Sequence, residues 1–329
     1  MRDPKAKLAH LDACLSPEIE YRKSAGFDEI ALENQAGVDI SLNKISLDTA
    51  FLGKSLKAPL MIAPMTGGME RGLELNRLWA RAAEHFGIAF GVGSQRVALE
   101  NPALAETFKV RQYAPKALIF ANLGAAQIAG GMDLGTVQRA IDMIEADALL
   151  VHFNAVQEAC QDGDVDYLGV QKNMARLCEH FSKQNLPVLV REVCFGLSQA
   201  AAKRFVDMGV SGIDCAGAGG TSWAKVEAMC AKTERRQKMG MRFGEFGIPT
   251  VDSIRNVRQV SADIPLIATG GIRSGQDMLK ALNLGANLTA MARPMLVAAD
   301  AGEEALFEFI EDLLLELRIA LFATGKPGC

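Results

Sequence analysis

The sequence is poor in aromatic residues, at 6%, with two tryptophans and three tyrosines. With so few aromatics among many small and aliphatic residues, a packed parallel sheet is favoured over sandwich or repeat architectures. Neither sign of charge dominates: 35 Lys and Arg stand against 39 Asp and Glu, a formal net of -4. That removes the global case for nucleic acid or an anionic membrane as partner. The seven cysteines include no C-x-x-C pair, and their number is odd. A disulfide framework is therefore disfavoured, and reduced thiols in a cytoplasmic protein are expected. No apolar run is long enough to span a bilayer, and MRDPKAKLAHLDACL lacks the apolar core of a secretory signal.

What is abundant is aliphatic and small. Apolar residues make up 49% of 329 positions, and 31 residues are glycine. Short apolar runs recur at 59–63, 88–92, 118–121, 147–151, 187–191, 212–216, 265–268 and 288–291. They are not strictly alternating, as expected for strands buried on both faces. The spacing leaves room for a helix after each, and eight is the number of a (β/α)₈ barrel. Helical stripes support this at 70–86 and at 133–145, where Asp133 reads as the N-cap. Further helices are expected at 277–284 after Ser274 and at 303–323. Residues 1–55 read as an N-terminal extension over one end of the barrel of 56–329, with a strand-like pair at 38–47. Residues 223–249 are charged and Met-rich and lack a clean stripe. They read either as a mobile βα-loop over the mouth or as a solvated connector.

In such a barrel the strand ends converge on one face. The seventh strand runs into Gly270-Gly271-Ile272-Arg273, and the eighth ends in Ala292-Arg293. Glycines let backbone N–H groups approach a phosphate, and arginines add charge-assisted donors. The other strands deliver Met65-Thr66, Ser94-Gln95-Arg96, Asn122, His152-x-Asn154-x-x-Gln157-Glu158, Arg191-Glu192 and Gly219-Gly220-Thr221. His152 reads equally as a core histidine and as a site residue. An Arg at the end of a central strand is different, because a buried guanidinium needs an anionic or polar partner. Glu192 should point away from Arg191. The set contains no Ser-His-Asp arrangement and no His and Asp cluster for zinc. Glu158 is the one good hard-metal ligand, sufficient for Mg²⁺ if diphosphate oxygens complete the shell. A site rich in binding groups and poor in acids and bases leaves the hard step to a cofactor, and flavin mononucleotide suits the phosphate cup.

These runs resemble the flavin-dependent, type 2 isopentenyl-diphosphate isomerases over nearly the whole chain. The most specific pieces are Gly93-Ser94-Gln95-Arg96, His152-x-Asn154-x-x-Gln157-Glu158 and Gly219-Gly220-Thr221-Ser222-Trp223. Tyr21-Arg22-Lys23 and Met65-Thr66-Gly67-Gly68 add to them. The resemblance implies interconversion of isopentenyl and dimethylallyl diphosphate with reduced FMN and Mg²⁺, NAD(P)H serving only to reduce the flavin. It implies that Met65, Thr66, Ser94, Asn122, Arg191 and Thr221 contact FMN, while Gly271, Arg273, Ala292 and Arg293 surround its phosphate. Lys7, His10, Ser94, Arg96, His152 and Asn154 would hold the substrate. Glu158 would bind the metal, and Gln157, His152 and Arg191 would act at the reacting end. Gln has no useful pKa, so Gln157 is expected to orient, with the reduced flavin as proton carrier. A homotetramer or homo-octamer is expected.

The chain departs from that pattern at the site. Ala6 stands where an Arg is usual, with Lys5 or Arg2 as the nearest replacement. Arg191 stands in place of a Lys, Cys194 in place of a Gly, and Ala155 in place of a Pro. Two rival readings remain. One is an FMN-dependent oxidoreductase of the hydroxy-acid oxidase type. The other is a non-catalytic homologue that binds flavin or diphosphate.

Overall fold

The computed structural model describes residues 4–161, 163 and 165–329, with side chains from Lys7 onward. Ten strands are formed among them. β1 (Thr49–Phe51) and β2 (Lys54–Leu56) make an antiparallel hairpin. The rest are β3 (Leu60–Ile62), β4 (Ala89–Gly91), β5 (Ile119–Gly124), β6 (Ala148–Phe153), β7 (Val188–Glu192), β8 (Gly212–Asp214), β9 (Leu266–Thr269) and β10 (Leu288–Met291). These eight are parallel in chain order and close on themselves through the β10–β3 pair. Each coincides with one of the apolar runs, so the TIM-barrel expectation holds.

The reason is visible along each strand. Outward residues such as Ile62, Phe90, Val151, Val190 and Ile213 are buried in the large cluster shared with the helices. Inward residues Met61, Phe120, Leu150, Leu189, Ile267 and Leu288 form a second cluster inside the barrel. Two residues further on, four of these six columns turn polar: Phe120 gives way to Asn122, Leu150 to His152, Leu189 to Arg191, Ile267 to Thr269. Side chains two apart share a face, so this switch sets a dry floor below a polar mouth. Register then lines up Gly124, His152, Arg191 and Asp214 across four neighbouring strands.

Local signals place the helices. Asp133 caps Leu134–Met143 by accepting from Thr136 N at 2.9 Å, and Ser274 caps Gly275–Asn283 by accepting from Asp277 N at 3.1 Å. The helices Glu70–Phe86 and Glu303–Ala323 lie where their stripes put them.

Two expectations need correction. Residues 38–47 hold no strand pair; the hairpin lies at 49–56, turning through Leu52 and Gly53, both at positive φ. Its buried Phe51 and Leu56 join the inward cluster and stopper the floor of the barrel. A signal at 38–47 could not reveal this, because the hairpin's burial comes from the barrel and not from its own alternation. Residues 223–249 are not one irregular loop. They contain the helices Trp223–Met229 and Glu234–Arg242, the first buried at Ala224 through Ala228. Among the described residues no helix is long and apolar enough to cross a membrane.

Candidate active site

The mouth of the barrel opens into a cavity of about 230 Å³. Its walls come from the strand ends and from the helix Pro4–Leu15, which lies over the mouth and contributes Lys7 and His10. Thus the first fifty-odd residues serve both ends of the barrel: this helix above, the hairpin below. Lys7 Nζ donates to the carbonyl of Gly67 at 2.7 Å, tying the helix to the loop after β3. Ala6 and Lys5 have no described side chain, and Arg2 lies outside the described residues.

One side of the cavity is a chain of amides and carboxylates. Asn122 is held below by donating Nδ2 to Val92 O at 3.1 Å, and its Oδ1 lies 2.8 Å from His152 Nδ1. The imidazole therefore has a fixed orientation. Asn154 Nδ2 donates to Gln157 Oε1 at 3.2 Å and to Glu158 Oε1 at 3.0 Å. Gln157 Nε2 then donates to Glu227 Oε1 at 2.8 Å, and the other oxygen of Glu227 pairs with His10 Nε2 at 3.0 Å. Asn154, Gln157, Glu158 and Glu227 are all buried. Sequence reasoning did not single out Glu227. It sits in the segment read as a loop, and a helix beginning at the Ser222 cap is what turns it inward.

The floor of the mouth carries Arg191. Its Nε lies 3.5 Å from Asp214 Oδ2, and both side chains are buried. Burial pushes the Asp214 carboxyl above its ordinary range, with Arg191 pulling the other way. Arg191 Nη1 and Thr269 Oγ1 are buried without a hydrogen-bond partner, and both residues line the cavity. Buried polar groups left unpaired cost about 1–3 kcal/mol each unless a ligand satisfies them. Glu192 does point away: it accepts from the backbone N–H of Cys194 at 2.7 Å and of Phe195 at 2.5 Å. Burial pushes its carboxyl up to about 8, against the pull of those N–H groups.

The opposite side is the glycine–arginine cup. Gly270 and Gly271 adopt φ of +104° and +70°. A Cβ on Gly220 would stand 2.6 Å from Gly271 N, so the two turns touch with no space for side chains. Arg273 and Arg293 flank them. This construction, with the unpaired Arg191 and Thr269 groups beside it, fits a phosphorylated flavin whose ring presents polar edges to the mouth.

The cavity gathers nearly all the expected residues. Met65, Thr66, Ser94, Asn122 and Thr221 line it, as do Gly271, Arg273, Ala292 and Arg293 and the substrate set Lys7, His10, His152, Asn154 and Gln157. Arg96 is not brought in: its Nε donates to Glu100 at 2.7 Å on an exposed face, and it is absent from the cavity wall. Glu158 lies behind Asn154. Among the described residues no three His, Cys, Asp or Glu side chains form a metal cage, so a cation at Glu158 needs oxygens from a bound diphosphate. Cys194 lines the cavity, with its Sγ 3.4 Å from the Trp223 N–H, and burial pushes its thiol pKa well up. Ala155 begins the helix Ala155–Gln161, a first-turn position where proline and alanine are both at home.

Closed parallel barrel, cup and polar mouth together define an FMN-dependent α/β-barrel enzyme. The FMN-dependent dehydrogenase family pattern matches residues 2–119 and 137–328. Solved flavocytochrome b2 and mandelate oxidase structures share the fold. The first has a TM-score of 0.67 at 18% identity, covering 98% of this chain and 80% of that one. The second has a TM-score of 0.64 at 18% identity, covering 98% and 95%. Within that class, the chain belongs to the isopentenyl-diphosphate delta-isomerase family. It is 46% identical over 325 residues to the Synechococcus sp. isopentenyl-diphosphate delta-isomerase, covering 98% of this chain and 92% of the relative. The Vibrio campbellii relative of the same name is 42% identical over 322 residues, with 97% and 94% covered.

Proposed function

We propose that the chain interconverts isopentenyl and dimethylallyl diphosphate, using reduced FMN and Mg²⁺. The observation that carries this reading is a single cavity joining the phosphate cup to the buried Gln157–Glu227–His10 chain. The hydroxy-acid oxidase reading finds less support. The only histidine from a strand end, His152, is oriented by Asn122, and the turn after β8 offers glycines where a base would be wanted.

Arg273, Arg293 and Gly271 would hold the FMN phosphate, and Arg191 and Thr269 would satisfy polar edges of the ring. When bound, the reduced flavin supplies a proton donor and acceptor beside an alkene that has neither a good acid nor a good base of its own. The chain's residues do the rest. His152, Asn154, Ser94, His10 and Lys7 bind the diphosphate. Glu158 would hold Mg²⁺, whose charge would offset that of the diphosphate. Gln157 positions the hydrocarbon end, and Glu227 behind it fixes the orientation of that amide. Leu11 and Trp223 line the same cavity and help to exclude water. NAD(P)H is the flavin reductant. A cytoplasmic homotetramer or homo-octamer fits the exposed Met241, Phe243 and Phe246, apolar surface that a partner copy would cover.

The test is anaerobic conversion of isopentenyl diphosphate by protein reconstituted with FMN, reductant and Mg²⁺. Absence of conversion, or bleaching of the flavin by a 2-hydroxy acid, would overturn the reading.

A further inference from the structure

The cup already contains an anion. Glu20 reaches into it and bridges both arginines: Arg293 Nη1 donates to Oε1 at 2.5 Å, and Arg273 Nη2 donates to Oε2 at 2.7 Å. Three of the other guanidinium nitrogens are fixed to backbone carbonyls. Arg293 Nε and Nη2 donate to Cys14 O and Leu15 O at 2.9 and 3.0 Å. Arg273 Nη1 donates to Gly219 O at 3.1 Å and Gly271 O at 3.3 Å. The amino groups held by Glu20 are therefore the ones directed at an anion in the cup.

We infer that Glu20 sets how tightly this cup holds a phosphate monoester, by competing with it for the same two guanidinium arms. The inference rests on the reading of the cup as the FMN phosphate site. A phosphate seated there needs those arms, and a carboxylate left beside it would repel it. Glu20 is built to leave. Its backbone is pinned at the rim by the bridge to Thr221, with Tyr21 N donating to Gly220 O at 2.8 Å and Lys225 Nζ to Glu20 O at 2.6 Å. Its side chain is 29% exposed, and it can swing towards solvent while the main chain stays. In the absence of phosphate it neutralises two neighbouring cations. In the presence of phosphate it is displaced, so part of the cofactor's binding free energy goes into that exchange.

The test uses the full chain freed of flavin, with Glu20→Gln and Glu20→Ala variants checked for folding by circular dichroism. FMN and riboflavin are titrated by flavin fluorescence, and melting temperatures are measured with and without FMN. Both variants should bind FMN about tenfold more tightly than the unsubstituted chain, while riboflavin, which lacks the phosphate, binds all three alike. Their flavin-free melting temperatures should fall and the FMN-induced rise should grow. Glu20→Gln binding FMN equally or more weakly would overturn the inference and make Glu20 a structural strut. Failure of the unsubstituted chain to distinguish FMN from riboflavin would overturn the flavin reading of the cup, and the inference with it.

Discussion

Gln157 and Glu227, 70 residues apart, meet at 2.8 Å beneath the helix that carries His10. An amide cannot supply a proton at neutral pH, but one anchored to a buried carboxylate is held in one orientation and has an ionisable neighbour. Glu227→Gln keeps the shape and removes that ionisable group. Turnover should fall by about a hundredfold or more, while FMN affinity stays unchanged, as read by steady-state rates and a flavin titration. Gln157→Ala should lose comparable activity.

Arg191 neutralises Asp214 within the floor of the mouth, with both side chains buried. Removing one partner of a buried ion pair strands the other. Arg191→Ala should lower unfolding free energy by about 3–5 kcal/mol in urea. Arg191→Lys should retain most of the stability, because positive charge persists, and should test separately whether the guanidinium's second arm matters to the flavin.

At the floor, Asp147 ties the hairpin to the barrel. It accepts from Lys54 at 2.7 Å, from Arg111 at 2.8 Å and from Ile119 N at 2.8 Å. Burial raises its pKa, but these three partners outweigh burial and hold it below the ordinary 3.8. A depressed carboxyl contributes stability above the ordinary value and loses it as pH falls through the lowered one. The unfolding midpoint should therefore drop in acid. Asp147→Asn should be less stable at neutral pH and show a shallower acid limb in urea titrations at stepped pH.

Gly271 has φ of +70°, and a Cβ there would meet Ala25 Cβ at 2.6 Å and Gly219 O at 2.8 Å. Gly271→Ala should abolish FMN retention on gel filtration while riboflavin binding falls less, since the clash is local to the cup.

The barrel was legible because its strands are buried on both faces and must be apolar for most of their length, whatever the helices around them do. Caps were legible for a different reason: Asp133 and Ser274 act on the next turn of the chain, so no distant residue is needed to recognise them. The hairpin at 49–56 was not. Phe51 and Leu56 are apolar because a barrel floor covers them, a fact of tertiary structure. Glu227 and Glu20 escaped for the same reason. Each is an ordinary surface-like carboxylate until distant residues are set against it, Gln157 and His10 for Glu227, Arg273 and Arg293 for Glu20. Arg96 shows the converse: its motif puts it next to Ser94, yet the helix Arg96–Glu100 turns its side chain to Glu100.

The most direct measurement is turnover in D₂O with flavin reduced beforehand, oxygen excluded and Mg²⁺ present. The expected result is dimethylallyl diphosphate carrying solvent deuterium, with the flavin as reduced at the end as at the start. Product formed by oxidised flavin without any reductant, or product free of deuterium, would contradict a proton-transfer role for the reduced cofactor in this site.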